Sequence, residues 1–374
     1  MAGLHAALDR SADAHLGEVE AIAAIPAPSF QEHDRAVYVA QRFREAGLSA
    51  VVIDEADNVR GTLQDGASRP HVILAAHMDT VYPREAHEPP RRSGTKLLGS
   101  SVRDNSPGVA ALITLANAFR AAGHPAAGRL EFVATTGEEG LGDLRGMRHR
   151  LRPEEVRPDV VLVVDGSLGQ IIHQGIAVRR FAVRYETDGG HSWGDFGAPN
   201  AIHEIASLVH ALAQTPIPSD PKTTLNVGGI HGGTSVNTIA ARAEIQIDFR
   251  SVEGRCVDDL TARLGALTQL VEERGVRVTT TIIGDRPGGW IPPNHPLVAA
   301  VRDAHRAHGI EPRLAAASTD ANIPLALGIP AISMGVSGGG HVHSPREWLD
   351  TATLVRGLHL LADVVSHVVK VARP

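Results

Sequence analysis

The chain has 374 residues, a net charge of −6 and 43% hydrophobic residues, a composition that suits a packed globule of two domains at about 100–200 residues each. The acidic balance argues against nucleic acid as a partner, and the single cysteine, Cys256, excludes an intramolecular disulfide and any thiolate-rich zinc site, so a metal must sit on His, Asp and Glu. Met1 to Arg10 is mixed and polar, without the pattern of a signal peptide, and no apolar stretch approaches the roughly 20 residues of a membrane span, so a cytoplasmic protein with no membrane partner is expected.

Apolar residues at helical spacing predict a helix over Met1 to Ala24, broken by Ile25-Pro26-Ala27-Pro28, and a second helix over Asp34 to Ala46, closed by Gly47. Four apolar runs then share one pattern. His71 to Ala76 ends on His77, Leu130 to Ala134 ends just before Glu138-Glu139, and Val160 to Val164 ends on Asp165. Ala331 to Met334 leads through glycines into His341-Val342-His343. Helical stretches separate these runs, which predicts an α/β domain with a mainly parallel sheet flanked by helices. Open α/β sheets bind ligands beyond the carboxyl ends of their strands, where these polar residues fall.

From residue 176 to 288 the rhythm changes. Val178 to Glu186 alternates as a half-buried strand, Pro199 to Ala213 is helical, and Thr223 to Gly228 and Ala240 to Phe249 are strands with glycines in the turn between them. Asp258 to Arg274 is helical and Val276 to Ile283 extended. That β-α-β-β-α-β order is ferredoxin-like. It predicts an α+β domain inserted into a first domain made of residues 1–175 and 289–374, which ends in a helix capped by Asp350.

The chemistry-bearing residues stand at these ends. His77 and Asp79, two apart on an extended segment, point the same way; His77 suits a metal ligand whose second ring proton Asp79 accepts, though two polar residues at a surface strand end would read alike. Asp104 precedes a helix start at Ser106 (N-cap) and Pro107, and could bridge two metals or serve as an ordinary turn Asp. Glu138 and Glu139 diverge, so one can bind metal while the other acts as general base, its pKa raised by its neighbour; an acidic helix start is the rival reading. Asp165 closes the most apolar run, where an unpaired charge would be costly. His343 has His341 as a rival among 20 histidines. Taken together, Asp104, Glu139, Asp165 and a bridging hydroxide neutralise two Zn²⁺, with His77 and His343 as one neutral ligand per metal and Glu138 outside as the base.

These residues resemble the dizinc exopeptidase family of peptidase T, glutamate carboxypeptidases and aminoacylases. The match rests on His77-Met78-Asp79-Thr80, Asp104, Thr136-Gly137-Glu138-Glu139, Asp165, Gly190-His191, Gly229 to Asn237, and His343-Ser344-Pro345-Arg346-Glu347. The resemblance implies that His77 and Asp165 hold one zinc, Glu139 and His343 the other, and that Asp104 bridges. It makes Asp79 the residue that orients His77, and Glu138 the general base and acid. It further implies that the inserted domain is a lid and dimerisation domain, that His191 reaches a partner subunit's site to stabilise the oxyanion with Asn237 assisting, and that Arg286 binds a substrate carboxylate. The implied activity is cleavage of an amide bond in small peptides by a metal-bridging hydroxide, or deacylation of N-acyl amino acids, in a homodimer that uses Zn²⁺, Co²⁺ or Mn²⁺. Many relatives carry Lys where this chain has Ser106, and Gly140 to Gly146 looks closer to the peptidase T-like branch.

Two rivals need weighing. Gly335-Val336-Ser337-Gly338-Gly339 matches a serine-hydrolase elbow, but the elbow needs a helix directly after the serine, and more glycines follow. A catalytically silent binding homologue should lack a base or a ligand, and every position is filled.

Overall fold

The computed structural model describes residues 1–64, 69–122, 128–272 and 276–372. The chain divides into two compact units, Met1–Gly175 with Gly289–Pro374, and Ile176–Gly288.

The first unit is built on a nine-stranded sheet. Its centre is parallel: Arg129–Thr135, His71–His77, Val160–Val164 and Ala331–Met334 lie side by side in that order. Antiparallel strands extend the flanks, with Ser49–Ile53 and Val59–Gln64 on one side and Gln170–Gly175 on the other. His71–His77 and Val160–Val164 are buried along their whole length, which is why they read as unbroken apolar runs rather than alternating ones. The helix Ser106–Ala121 packs on His71–His77 and against the first two helices of the chain.

Several boundaries differ from expectation for local reasons. The first predicted helix is two, Ala2–Arg10 and Ala12–Ala23, with Ser11 between them at φ −94°. The Ser11 hydroxyl bonds the Ala7 carbonyl at 2.9 Å, the local competition with helix bonds that serine offers. The N-cap of Ser106–Ala121 is Asn105, not Ser106. The Asn105 side-chain Oδ1 accepts Gly108 N–H at 3.1 Å, and its Nδ2 donates to the Val164 backbone carbonyl at 2.8 Å. Asp350 caps a short 3₁₀ turn, Thr351–Thr353, that leads into the final helix Leu354–Val371. The segment Thr351–Lys370 is long and apolar enough to cross a membrane by length and composition, contrary to the sequence reading, but most of it is buried within the unit. It is accounted for as a core helix, with Leu358, Leu361 and Val365 in the cluster that also holds Leu4 and Leu8.

The second unit has the β-α-β-β-α-β order. Its sheet runs Thr223–Gly232, Arg242–Ser251, Ala177–Glu186, Arg277–Arg286, all antiparallel. Ala243, Ile245, Ile247 and Phe249 alternate inward and join Leu208, Leu260 and Leu264 of the two helices in one core. The strand predicted to end at Gly228 continues to Gly232, because the register shifts between Val227 and Gly229: the glycine pair sits in a bulge, where an extra residue is absorbed. The second helix is Gly254–Glu272; its predicted end at Arg274 lies outside the described residues. A short ribbon pairs Gly190–His191 with Thr238–Ile239.

Candidate metal centre

The parallel strands deliver their polar ends to one rim. His77 is the last residue of its strand, and Asp165 directly follows Val160–Val164. Glu139 follows Arg129–Thr135 across a turn that needs positive φ at Gly137 (62°). Asp104 sits just before the Ser106–Ala121 helix. His343 lies beyond the short strand Gly338–Gly340 and itself adopts φ 60°.

These side chains converge. His77 Nε2 lies 3.0 Å from Asp104 Oδ1, and His343 Nε2 lies 3.2 Å from Asp104 Oδ2 and 2.8 Å from Glu139 Oε1. The two oxygens of Asp104 therefore face different imidazoles. One ligand atom each from His77, Asp104 and Glu139 fall within 4.8 Å of one another. Asp165 is near enough that the Asp104 charge acts on it. Of the two rival histidines, it is the ring of His343 that enters the cluster.

The shell behind them explains the placement. Asp79 is fully buried, and its carboxylate accepts Glu138 N–H on Oδ1 and Glu139 N–H on Oδ2, each at 2.9 Å, with the Ser29 hydroxyl at 2.7 Å. His77 Nδ1 lies 3.1 Å from the Asp79 backbone carbonyl and 3.5 Å from its carboxylate. Asp79 thus contacts His77 chiefly through its backbone, and its carboxylate fixes the Glu138–Glu139 peptide. Arg35, also fully buried, donates to the Met78 carbonyl at 2.7 Å and so braces the strand end that carries His77. Glu32 accepts Gly137 N–H at 3.0 Å and Arg145 at 2.7 Å, which holds the turn before the glutamates. Asp320, buried beneath this rim, accepts the Thr135 hydroxyl at 2.5 Å, and burial pushes its carboxyl up to about 6. Among these, only Asp79 was picked out from the sequence. Glu32, Arg35 and Asp320 stand in helices or loops with nothing local to mark them.

The electrostatics are those of a cation site. Hydrogen bonds from His343 to Asp104 and then Glu139 raise its imidazole to about 10. Burial works against a charged His77, but its bonds to Asp104 and Asp79 outweigh that and raise it well above its ordinary value. Burial opposes ionisation of Asp104 too, yet the two imidazoles hold it far below the usual carboxylate range. Asp165 goes the other way, to about 6, first through burial and then through the Asp104 charge. Each imidazole nitrogen therefore faces acids that favour positive charge between them. Nitrogen and carboxylate oxygen donors with no thiolate suit Zn²⁺, Co²⁺ or Mn²⁺, so the residues present fit a divalent metal. A cavity of about 340 Å³ beside His343 is lined by Val81, Tyr82, Glu88, Ser100 and Pro345 among others.

The second unit carries the remaining predicted residues. His191 is exposed, and its Nδ1 accepts Trp193 N–H and Gly194 N–H, each at 3.2 Å. Since Nδ1 is an acceptor, the neutral ring carries its proton on Nε2. Asn237 is a neighbour: its carbonyl accepts Ser192 N–H at 3.0 Å. Arg286 is buried at the end of Arg277–Arg286 rather than on the surface, where a lone Arg is usually found. In the first unit, Ser337 is buried and runs into the strand Gly338–Gly340, with no helix after it, so the serine-elbow reading fails.

Comparison with known proteins agrees with this architecture. The chain is 27% identical over 250 residues to acetylornithine deacetylase of Klebsiella pneumoniae (strain 342), an alignment that covers 64% of each; the chain thus spans just under two thirds of the length of that relative. In fold it is similar to a tripeptidase from Staphylococcus aureus, with TM-score 0.81 and 21% identity over 96% of this chain and 99% of that one. It is also similar to the aminopeptidase PepT from Bacillus cereus, with TM-score 0.76 and 20% identity over 96% and 98%. Residues 73–367 match the Peptidase family M20/M25/M40 profile, and that stretch takes in every residue of the cluster above: the chain belongs to Peptidase family M20/M25/M40.

Proposed function

We propose that this protein is a two-metal amidohydrolase that cleaves an amide bond in a small peptide. The observation that carries the reading is Asp104, whose two oxygens each meet a different imidazole. His77 and Asp165 would hold one ion, Glu139 and His343 the other, and Asp104 both. Bound, the pair supplies Lewis acidity and makes a water acidic enough to attack near neutral pH. Glu138, placed through its backbone bond to Asp79, takes the proton of the attacking water and returns it to the leaving amine. His191 presents Nε2–H to the oxyanion, where fixed donors act most strongly, and Asn237 assists from the turn that precedes Thr238–Ile239. Arg286 binds a carboxylate of the substrate. The ions are Zn²⁺ in the first instance, with Co²⁺ and Mn²⁺ accepted by the same ligands.

His191 acts across a homodimer formed by the second unit. Trp193, Phe196 and Val236 are 88%, 91% and 100% exposed, beside His191 and Asn237, and an exposed apolar group of this kind marks a protein contact. The strand Thr223–Gly232 is an edge of its sheet and offers backbone groups for pairing. A fully active monomer in light scattering would remove this part.

A second reading, deacylation of N-acyl amino acids on the same machinery, is favoured by the likeness to acetylornithine deacetylase. Metal quantification with a panel of dipeptides, tripeptides and N-acyl amino acids tests both. Glu138→Ala is expected to keep both ions and lose turnover by several orders of magnitude; near-normal turnover in that variant rejects Glu138 as the base.

A further inference from the structure

His343 is held differently from its companions. His77 ends its strand, paired with Thr135, and Asp165 directly follows one, its N–H bonded to the Met334 carbonyl at 3.0 Å. His343 lies in a loop, between the strands Gly338–Gly340 and Trp348–Asp350, and both it and His341 adopt left-handed φ, 60° and 57°. Non-glycine residues persist in that region only where their surroundings over-determine it. Something must therefore hold this loop in register with Asp104, which comes from the opposite part of the sequence.

Two side chains do so. Glu347 is buried at 1% exposure, and its Oε1 accepts both Arg103 N–H at 2.8 Å and Asp104 N–H at 3.0 Å. The Tyr82 hydroxyl lies 2.8 Å from Glu347 Oε2 and 2.8 Å from the Ser344 carbonyl. Glu347 N–H closes the loop on the same Ser344 carbonyl at 3.0 Å, and the Ser344 hydroxyl donates to the His341 carbonyl at 2.7 Å. One tyrosine and one carboxyl thus tie the loop that carries His343 to the turn that carries Asp104, across more than 200 residues of chain. We propose that Tyr82 and Glu347 are positioning residues that set the affinity of the metal ion on the His343 side. The inference rests on the two-ion reading given above.

Groups behind metal ligands typically change affinity by about 10- to 100-fold when removed. The test is titration of the metal-stripped protein with Zn²⁺ against a competing chelator, with ions per chain counted directly. Glu347→Ala is expected to weaken one of two ions by about 10- to 100-fold and leave the other near wild type. Glu347→Gln should rescue: its Oε1 can accept both backbone N–H groups while its Nε2 donates to Tyr82 Oη, whose O–H keeps its hydrogen bond to the Ser344 carbonyl. Tyr82→Phe, which keeps the ring packing, should weaken the same ion and provides the test if the alanine variant does not fold. A folded Glu347→Ala or Tyr82→Phe that binds both ions as tightly as wild type overturns the clamp, and so does Glu347→Gln as weak as the alanine variant. Wild-type protein that takes up fewer than two ions instead overturns the two-ion reading, and the clamp's assigned role goes with it.

Discussion

Replacing Asp79 by Asn changes one oxygen to an amide and leaves the volume alone. The Asp79 carboxylate accepts Glu138 N–H on Oδ1, and Glu139 N–H with the Ser29 hydroxyl on Oδ2, all within 2.9 Å. Asparagine has one acceptor oxygen. If its nitrogen takes the Oδ1 place, it faces Glu138 N–H, donor against donor; in the Oδ2 place it faces Glu139 N–H, though Ser29 can turn its hydroxyl to accept. In either orientation one backbone donor in a fully buried position loses its partner, which costs about 1–3 kcal/mol, and the surviving bond gives up its charge assistance at about 1 kcal/mol more. The expected loss is roughly 2–4 kcal/mol of stability, or a shift of the Glu138–Glu139 peptide that relieves the clash. The second outcome is the informative one, since a displacement of about 1 Å at a catalytic group can cost about 100-fold in rate. Thermal unfolding at fixed metal concentration, read beside kcat and KM on the best peptide of the panel, separates the two. Asp79→Asn with wild-type melting and wild-type kcat refutes the claim that this carboxylate places the two glutamates.

His191→Ala is expected to spare metal content and lower kcat by about 100- to 1,000-fold, as loss of one oxyanion donor does; a variant stripped of metal would make His191 a ligand and sink its assigned role. Chelation should lower the melting temperature reversibly, since ions held at about 1,000 times their Kd contribute about 4 kcal/mol each; an unchanged melting curve after verified metal removal refutes this. His15 is buried and bonds Thr114 at 2.9 Å, and burial lowers its imidazole from 6.5 to about 4. The unfolded chain binds this proton below pH 6.5 while the folded chain refuses it until about pH 4. Stability is therefore full above 6.5, is lost as the pH falls through that window, and is lower by about 3 kcal/mol at its acid end. His15→Leu should flatten that acid slope in chemical denaturation between pH 7 and 4; parallel curves for the two proteins would falsify it.

What could be read from the sequence was whatever chemistry forces into a local pattern. A strand buried on both faces must be apolar throughout, so Val160 to Val164 announces itself, and the charged residue that ends it, Asp165, stands out by contrast. The β-α-β-β-α-β order of the second unit follows from switches of period, and the glycines at 228 and 229 mislead only because a bulge and a turn both call for glycine. Residues that act from a distance leave no such trace. Arg35 points from the first turn of the helix His33–Glu45 at a carbonyl more than 40 positions away, and its spacing is that of any helical arginine. Tyr82 and Glu347 are joined across 265 positions, so neither hints at the other. Asp79 is the instructive middle case. Its spacing from His77 suggested a single partner, while its carboxylate holds the Glu138–Glu139 peptide. Residue spacing along one strand reports which side chains share a face, and it is silent on what the neighbouring strand brings to them. Here the neighbour is the parallel strand Arg129–Thr135, in register with His71–His77 through Thr135, and it is that register that sets Glu138 and Glu139 beside Asp79. The ligands are legible one strand at a time; the geometry that makes them a site is a property of strand order, which only the fold supplies.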